Sequence, residues 1–224
     1  MKFLTRWLFR LLVLALLLAV ALVLLKDLLL EEYLETRFRR ATGLELEIGR
    51  LEAALWAPVL RAENVRLYNP PEFGGAPWLV AQEVHLEYDR AALRRGDLHL
   101  RLLRLHLAEL VVVEDGRGGQ NLRALAARWP ADAPREPAWL RFAGVDTLNL
   151  TLERVRRVNL RAPERNLTLD PALRGQVWQD LRTPADLRRV LAELAARPAV
   201  QTVLAPPPPP TTAPPAPRPG GPRR

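Results

Sequence analysis

The stretch Asp97-Leu98-His99-Leu100-Arg101-Leu102-Leu103-Arg104-Leu105-His106-Leu107-Ala108-Glu109-Leu110-Val111-Val112-Val113-Glu114 decides the fold. Leu98, Leu100 and Leu102 share one parity, and Leu103, Leu105 and Leu107 share the other. Apolar residues recurring with a period of two mark a half-buried β-strand. A one-residue phase change inside such a strand predicts a β-bulge near Leu102 and Leu103, and a short break would give the same pattern. Asp115-Gly116-Arg117-Gly118-Gly119 then reads as a turn, and Asn121 to Arg128 as a short helix.

The same period runs upstream. Leu44, Leu46 and Ile48 alternate with Glu45, Glu47 and Gly49, and Val65 and Leu67 alternate with Asn64 and Arg66 in a strand from Val59 to Tyr68. Val84, Leu86 and Tyr88 alternate with Glu83, His85 and Glu87 in a strand from Leu79 to Asp89. Between these two, Asn69-Pro70-Pro71-Glu72-Phe73-Gly74-Gly75 punctuates the pattern as a loop. Downstream, Trp129 to Pro137 reads as a loop. Leu148, Leu150 and Leu152 then form a strand, and Val158, Leu160, Leu167 and Leu169 repeat the theme. Thr183-Pro184-Ala185-Asp186 opens a helix to Ala196, with threonine as the cap and proline in the first turn. Its buried stripe is Leu187, Val190, Leu191 and Leu194.

The ends differ from this body. Leu11 to Leu25 is an unbroken run of Leu, Val and Ala. At 1.5 Å per residue that run is about 22 Å long, and Trp7, Leu8 and Phe9 extend it toward the roughly 30 Å of a bilayer core. Arg10 and Lys26 are placed to snorkel to the headgroups. Leu11, Leu12, Leu14, Leu17, Leu18, Val20, Leu24 and Leu25 are the anchor residues of this reading. A cleaved signal peptide is the rival, because Ala19-Val20-Ala21 has the form of a cleavage site, but the apolar run continues past it. Basic residues on the two sides nearly balance. A short basic tail before an apolar run favours a cytoplasmic N-terminus and an exported body.

After the run, Leu30, Leu34 and Phe38 give a helix with one apolar stripe, ended by Gly43. The tail from Ala205 carries five consecutive prolines and reads as extended and disordered. The expected division is therefore 1–26 cytoplasmic tail and membrane anchor, 27–43 stalk helix, 44–204 β-rich domain and 205–224 tail.

Composition narrows the chemistry. Net charge is +8, yet nearly every cation is arginine, dispersed among carboxylates as in Glu153-Arg154-Val155-Arg156-Arg157. No nucleic-acid partner is expected from so scattered a charge. The chain has no cysteine and no serine, so the usual acyl-transfer nucleophiles are missing. His85, His99 and His106 fall on strands. His99 shares a face with Asp97 and Arg101, and His85 with Glu83 and Glu87. Two such histidines with two carboxylates could hold a metal only if the strands paired suitably, and solvated strand faces explain them more simply. No catalytic, cofactor-binding or metal residue is assigned, and no enzyme activity or cofactor is expected.

The order of these features resembles the AsmA-like family over roughly residues 1 to 125. The resemblance is carried by the N-terminal apolar run, Thr42-Gly43-Leu44-Glu45, and Val65-Arg66-Leu67-Tyr68-Asn69-Pro70-Pro71 with Phe73. It continues in Tyr88-Asp89-Arg90 with Leu93 and Gly96, then in Glu114-Asp115-Gly116 with Gly119 and Asn121-Leu122. Glu72 stands where the family's glycine is expected, and larger relatives continue for hundreds of residues more. The resemblance implies an inner-membrane, single-pass protein with a periplasmic body, concerned with phospholipid transport or outer-membrane assembly.

Together these readings predict a mainly β fold with flanking helices: one N-terminal transmembrane helix, then a curled antiparallel-type sheet and a C-terminal helix. Its candidate apolar face comprises Val65, Leu67, Val84, Leu86, Leu98, Leu100, Leu148 and Leu150. Expected partners are the phospholipid membrane, lipid acyl chains and other envelope proteins. The alternative is a membrane-tethered scaffold that binds another envelope protein.

Overall fold

A computed structural model describes residues 26–54, 56–115, 118–128 and 141–205. The anchor Leu11 to Leu25 and the tail beyond Ala205 lie outside these residues. Among the described residues, no helix is long and apolar enough to cross a membrane.

The fold is mainly β, an open eight-stranded sheet with a few helices. A helix over residues 26–42 (α1) leads to the short strands β1 (Leu46–Glu47) and β2 (Arg50–Ala53). Three long strands follow: β3 (Val59–Tyr68), β4 (Pro77–Tyr88) and β5 (Asp97–Glu114). The short helix α2 (Arg90–Arg94) joins β4 to β5, with Asp89 capping it. Helix α3 (Asn121–Arg128) follows β5, and β6 (Arg141–Asn159) runs nineteen residues. The chain closes with β7 (Leu167–Leu169), β8 (Leu173–Leu181), α4 (Pro184–Ala195) and α5 (Pro198–Leu204).

The sheet is mixed, which corrects the antiparallel expectation. β1 and β2 pair with β3, then β4 and β5 follow, all antiparallel. β5 and β6, however, run parallel along nearly their whole length. Alternation within a strand is silent about the direction of its neighbour. The deciding feature is the connection: the segment from Asp115 to residue 140 is long enough for a crossover, whereas a hairpin would need only a tight turn. β7 and β8 return antiparallel on the outer edge of β6. The strand expected over Val158 to Leu169 is in fact the end of β6, a one-turn 3₁₀ helix at Pro163–Arg165, and the short β7.

One end of the sheet, here the proximal end, gathers the start of α1, the β2–β3 turn, α2, the starts of β5 and β6, and the end of β8. The distal end gathers Asn69, α3 and Ala205. At about 3.3 Å per residue, the eighteen residues of β5 separate the two ends by roughly 60 Å.

Two lines of irregularity cross the sheet. At the first, Gly49 lies against Asn64, and the β4–β5 register shifts on both sides of Ala81. A Cβ on Gly49 would sit 2.9 Å from the Asn64 Cβ, and Asn64 has φ of 54°. At the second, the β4–β5 register slips between Glu87 and Tyr88, opposite Leu102 and Leu100. The phase change expected near Leu102 and Leu103 is this bulge. Across β8 the same line meets Asp180, with φ of 57°.

The core lies chiefly on one face. Val112, Val155 and Leu173 are 0% exposed and pack with Val200 and Val203 of α5. Leu100, Val145, Leu148 and Leu181 pack with Val190 of α4. Fully burying one such side chain stabilises by about 1.5–3 kcal/mol. At the other edge, Leu30 and Leu34 of α1 pack over Ile48, Leu51 and Ala62. A smaller cluster, Phe73, Val111 and Val113, lies at the distal end with Ala124 of α3.

Candidate functional site

The register assembles the predicted apolar residues strand by strand. Val65 is paired with Ala81 and Leu67 with Leu79; Val84 is paired with Leu105 and Leu86 with Leu103. Leu100 is paired with Val145, and Leu148 and Leu150 follow on β6 opposite Leu103 and Leu105. Leu98 packs into the same cluster as Leu100 and Leu148. The face is continuous because both bulge lines displace neighbouring strands together, so the alternation stays in step across the sheet.

Cover on this face is uneven. Leu100, Leu148 and Leu150 are buried, near the C-terminal helices. Val84, Leu86, Leu103 and Leu105 form a strip on β4 and β5 and stay half-buried. They lie between the edge covered by α1 and the part covered by α4 and α5. Leu103 and Leu105 belong here as fully as the residues nominated from sequence. The nomination stopped at Leu100 because the phase change moved the later leucines to the other parity.

The opposite face is polar and carries the histidines. His99 Nε2 lies 2.9 Å from Asp146 Oδ1, and His106 Nε2 lies 2.8 Å from Glu153 Oε1. Both contacts follow from the parallel pairing of β5 with β6. His85 Nε2 is 3.3 Å from Glu87 Oε1. Arg182 donates to Asp146 Oδ1 at 2.8 Å and to Asp180 Oδ1 at 2.7 Å. The hydrogen bond from His99 leads the effects that hold the Asp146 carboxyl below its usual range, with the His99 and Arg182 charges adding to it. Among the described residues, no three His, Cys, Asp or Glu side chains converge as a metal site would require. Each of the three histidines stands against a different carboxylate.

A cleft of about 440 Å³ opens at the distal end, lined by Arg39 in the last turn of α1, Gly43 after it, Tyr68 at the end of β3, and Asn69 and Pro70 of the β3–β4 loop. Tyr68 donates its hydroxyl proton to Glu47, and that hydrogen bond leads the effects that raise the phenol above its ordinary range. Beneath it, Asn121 is 0% exposed and uses both ends of its side chain. Its Oδ1 accepts from Val113 N at 2.9 Å and Leu122 N at 2.8 Å. Its Nδ2 donates to Val111 O at 3.0 Å and Asn69 Oδ1 at 2.8 Å. Sequence reading placed Asn69 and Asn121 only as separate marks in an ordered series. Compared with known protein families, curated proteins and solved structures, the chain matches none.

Proposed function

We propose that the protein is a membrane-anchored, non-catalytic envelope protein that handles lipid, with the apolar sheet face accepting acyl chains. The observation that carries this reading is the strip Val84, Leu86, Leu103 and Leu105, left half-buried between two helical covers. An aliphatic surface of this kind, too long for its own helices to cover, suits the methylene chain of a lipid. The bulge lines add to it, since bulges bend and twist strands and so curl a sheet into a trough.

The resemblance to AsmA-like proteins points the same way, toward an inner-membrane anchor at Leu11 to Leu25, a cytoplasmic N-terminus and a periplasmic body. Phospholipid transport or outer-membrane assembly is the corresponding role. Lys26, the first residue after the apolar run, already belongs to α1.

Site-specific photo-crosslinking tests the reading. A benzophenone-bearing residue at position 103 is expected to form phospholipid adducts in cell membranes, and one at position 104, on the polar face, is expected to form none. Adducts with protein alone at position 103 would replace lipid handling with the scaffold reading.

A further inference from the structure

We propose that the proximal end of the sheet is a bilayer-docking surface, in which Trp56 and Leu93 enter the headgroup boundary while Arg94 and Arg95 pair with anionic lipid phosphates. The inference rests on the reading of Leu11 to Leu25 as a spanning anchor and adds a second, folded contact with the same membrane.

Chain continuity fixes which end faces the bilayer. Lys26, the first residue after the apolar run, donates from Nζ to Ala53 O at 2.6 Å. Ala53 N in turn donates to Asp27 Oδ1 at 3.0 Å. Lys26 and Asp27 are thus clamped to the last residue of β2, and the β2–β3 turn is held beside them. That turn carries Trp56, 91% exposed, between strands that rejoin where Ala54 N donates to Val59 O at 3.1 Å. Tyr88 N donates to Pro58 O at 2.9 Å, so the end of β4 and α2 sit next to the turn.

The chemistry of this end matches a membrane surface. An indole left almost wholly in water loses the burial that a large aromatic ring normally gains, and tryptophan's preferred place in bilayers is the headgroup boundary. Leu93 of α2 is exposed on the same end, as are Leu28 and Leu29 in the first turn of α1. Arg94 and Arg95 are exposed on and beside α2. The carboxylates here include Asp27, Glu52, Glu87, Asp89, Asp97 and Asp180. Asp27 is held by Lys26, Glu52 by Arg50, Glu87 lies against His85, and Asp180 is held by Arg182. Asp89 caps α2, and Asp97 accepts from Arg141 at 2.7 Å with Arg95 further off at 3.9 Å. Glu31 and Glu32 stand a turn further along α1, away from the apolar run. Apolar tips ringed by arginine, with local carboxylates already engaged, fit anionic lipid.

The absence of cysteine makes the test direct. Full-length Trp56→Cys, Leu18→Cys and Thr202→Cys proteins are each spin-labelled and reconstituted into vesicles of phosphatidylcholine with or without phosphatidylglycerol. Collision with oxygen against an aqueous nickel complex then gives the depth of each label. Position 56 is expected at the headgroup boundary, deeper with phosphatidylglycerol, and position 202 in water. Arg94→Gln with Arg95→Gln is expected to lower the docked-to-undocked ratio of the position 56 label about fivefold per arginine at low salt. A position 56 label as accessible to nickel as position 202, with position 18 in the acyl core, would overturn docking and leave the anchor standing. A position 18 label in water would overturn the anchor itself and the docking that rests on it.

Discussion

Asn121 donates a 2.8 Å hydrogen bond from Nδ2 to Oδ1 of Asn69, joining the first turn of α3 to the loop between β3 and β4. Both side chains are buried, and Asn69 passes the link on by donating from Nδ2 to Ala76 O at 3.0 Å. The pair ties the distal ends of three strands into one polar core.

Asn121→Ala strands the Val113 N–H and the Asn69 carbonyl group in a dry site. We expect a loss of about 3 kcal/mol in urea unfolding, the cost of leaving buried polar groups unpaired. In a double-mutant cycle, Asn69→Ala added to Asn121→Ala costs less than the sum of the single changes. Strict additivity would show that the hydrogen bond does not couple them.

Gly49→Ala drives a Cβ to 2.9 Å from the Asn64 Cβ. Overpacking of this kind costs about 1–3 kcal/mol. Asn64→Gly removes the clashing carbon and suits the φ of 54° there, so the double variant recovers most of the melting temperature. A Gly49→Ala protein as stable as the parent would show that the line across the sheet is free to relax.

Thr183 caps α4 by accepting from Asp186 N at 3.2 Å, while Asp186 accepts in return from Thr183 N at 2.9 Å. Thr183→Ala is expected to cost about 1 kcal/mol. Leu173→Ala, which opens a cavity beneath α5, is expected to cost about 2–5 kcal/mol. Chemical denaturation reads both.

Acid weakens the fold through carboxylates held below their ordinary range. For Asp186 the leading cause is the hydrogen bond from the Thr183 hydroxyl, for Asp89 the backbone hydrogen bonds of α2, and for Asp146 the hydrogen bond from His99. Each binds its proton less readily when folded, so its stabilisation is present above the ordinary aspartate range near 3.8 and is lost as pH falls through the lower folded value. Glu31 acts oppositely: burial, then the Glu35 charge, raises it, so in the interval above 4.5 stability falls as pH rises. Melting temperature against pH should drop on the acid side, and Asp146→Asn should flatten that drop.

Much of the first half was legible because its strands are long and one-sided. β3 and β5 occupy the residues that alternation marked, and the helix at Asn121 and the cap at Thr183 were plain in residue type. β8 was invisible: Arg174, Gly175, Gln176, Gln179 and Asp180 leave no apolar alternation to mark a strand, because an edge strand buries only part of one face. α5 was hidden behind Pro198, which opens a new helix where a proline usually marks an end. The strip on β4 and β5 was half legible, as Val84 and Leu86 show, but the leucines after the bulge were not named among its residues.

The parallel pairing of β5 with β6 also sets an order of events for a newly made chain. β3, β4 and β5 join through short connections, Asn69 to Ala76 and Asp89 to Gly96, and can zip as each emerges. Bringing Val145 to Leu100 closes a loop roughly five times longer than those turns, at about 1.5 kcal/mol more in chain entropy. Pairings so distant in sequence form late. Until β6 is synthesised, one whole edge of β5 stands open, with unpaired backbone groups and leucines in reach of other chains. The hazard of aggregation is therefore one of timing during synthesis, passed once β6 arrives, and a pause in translation before Arg141 would prolong it.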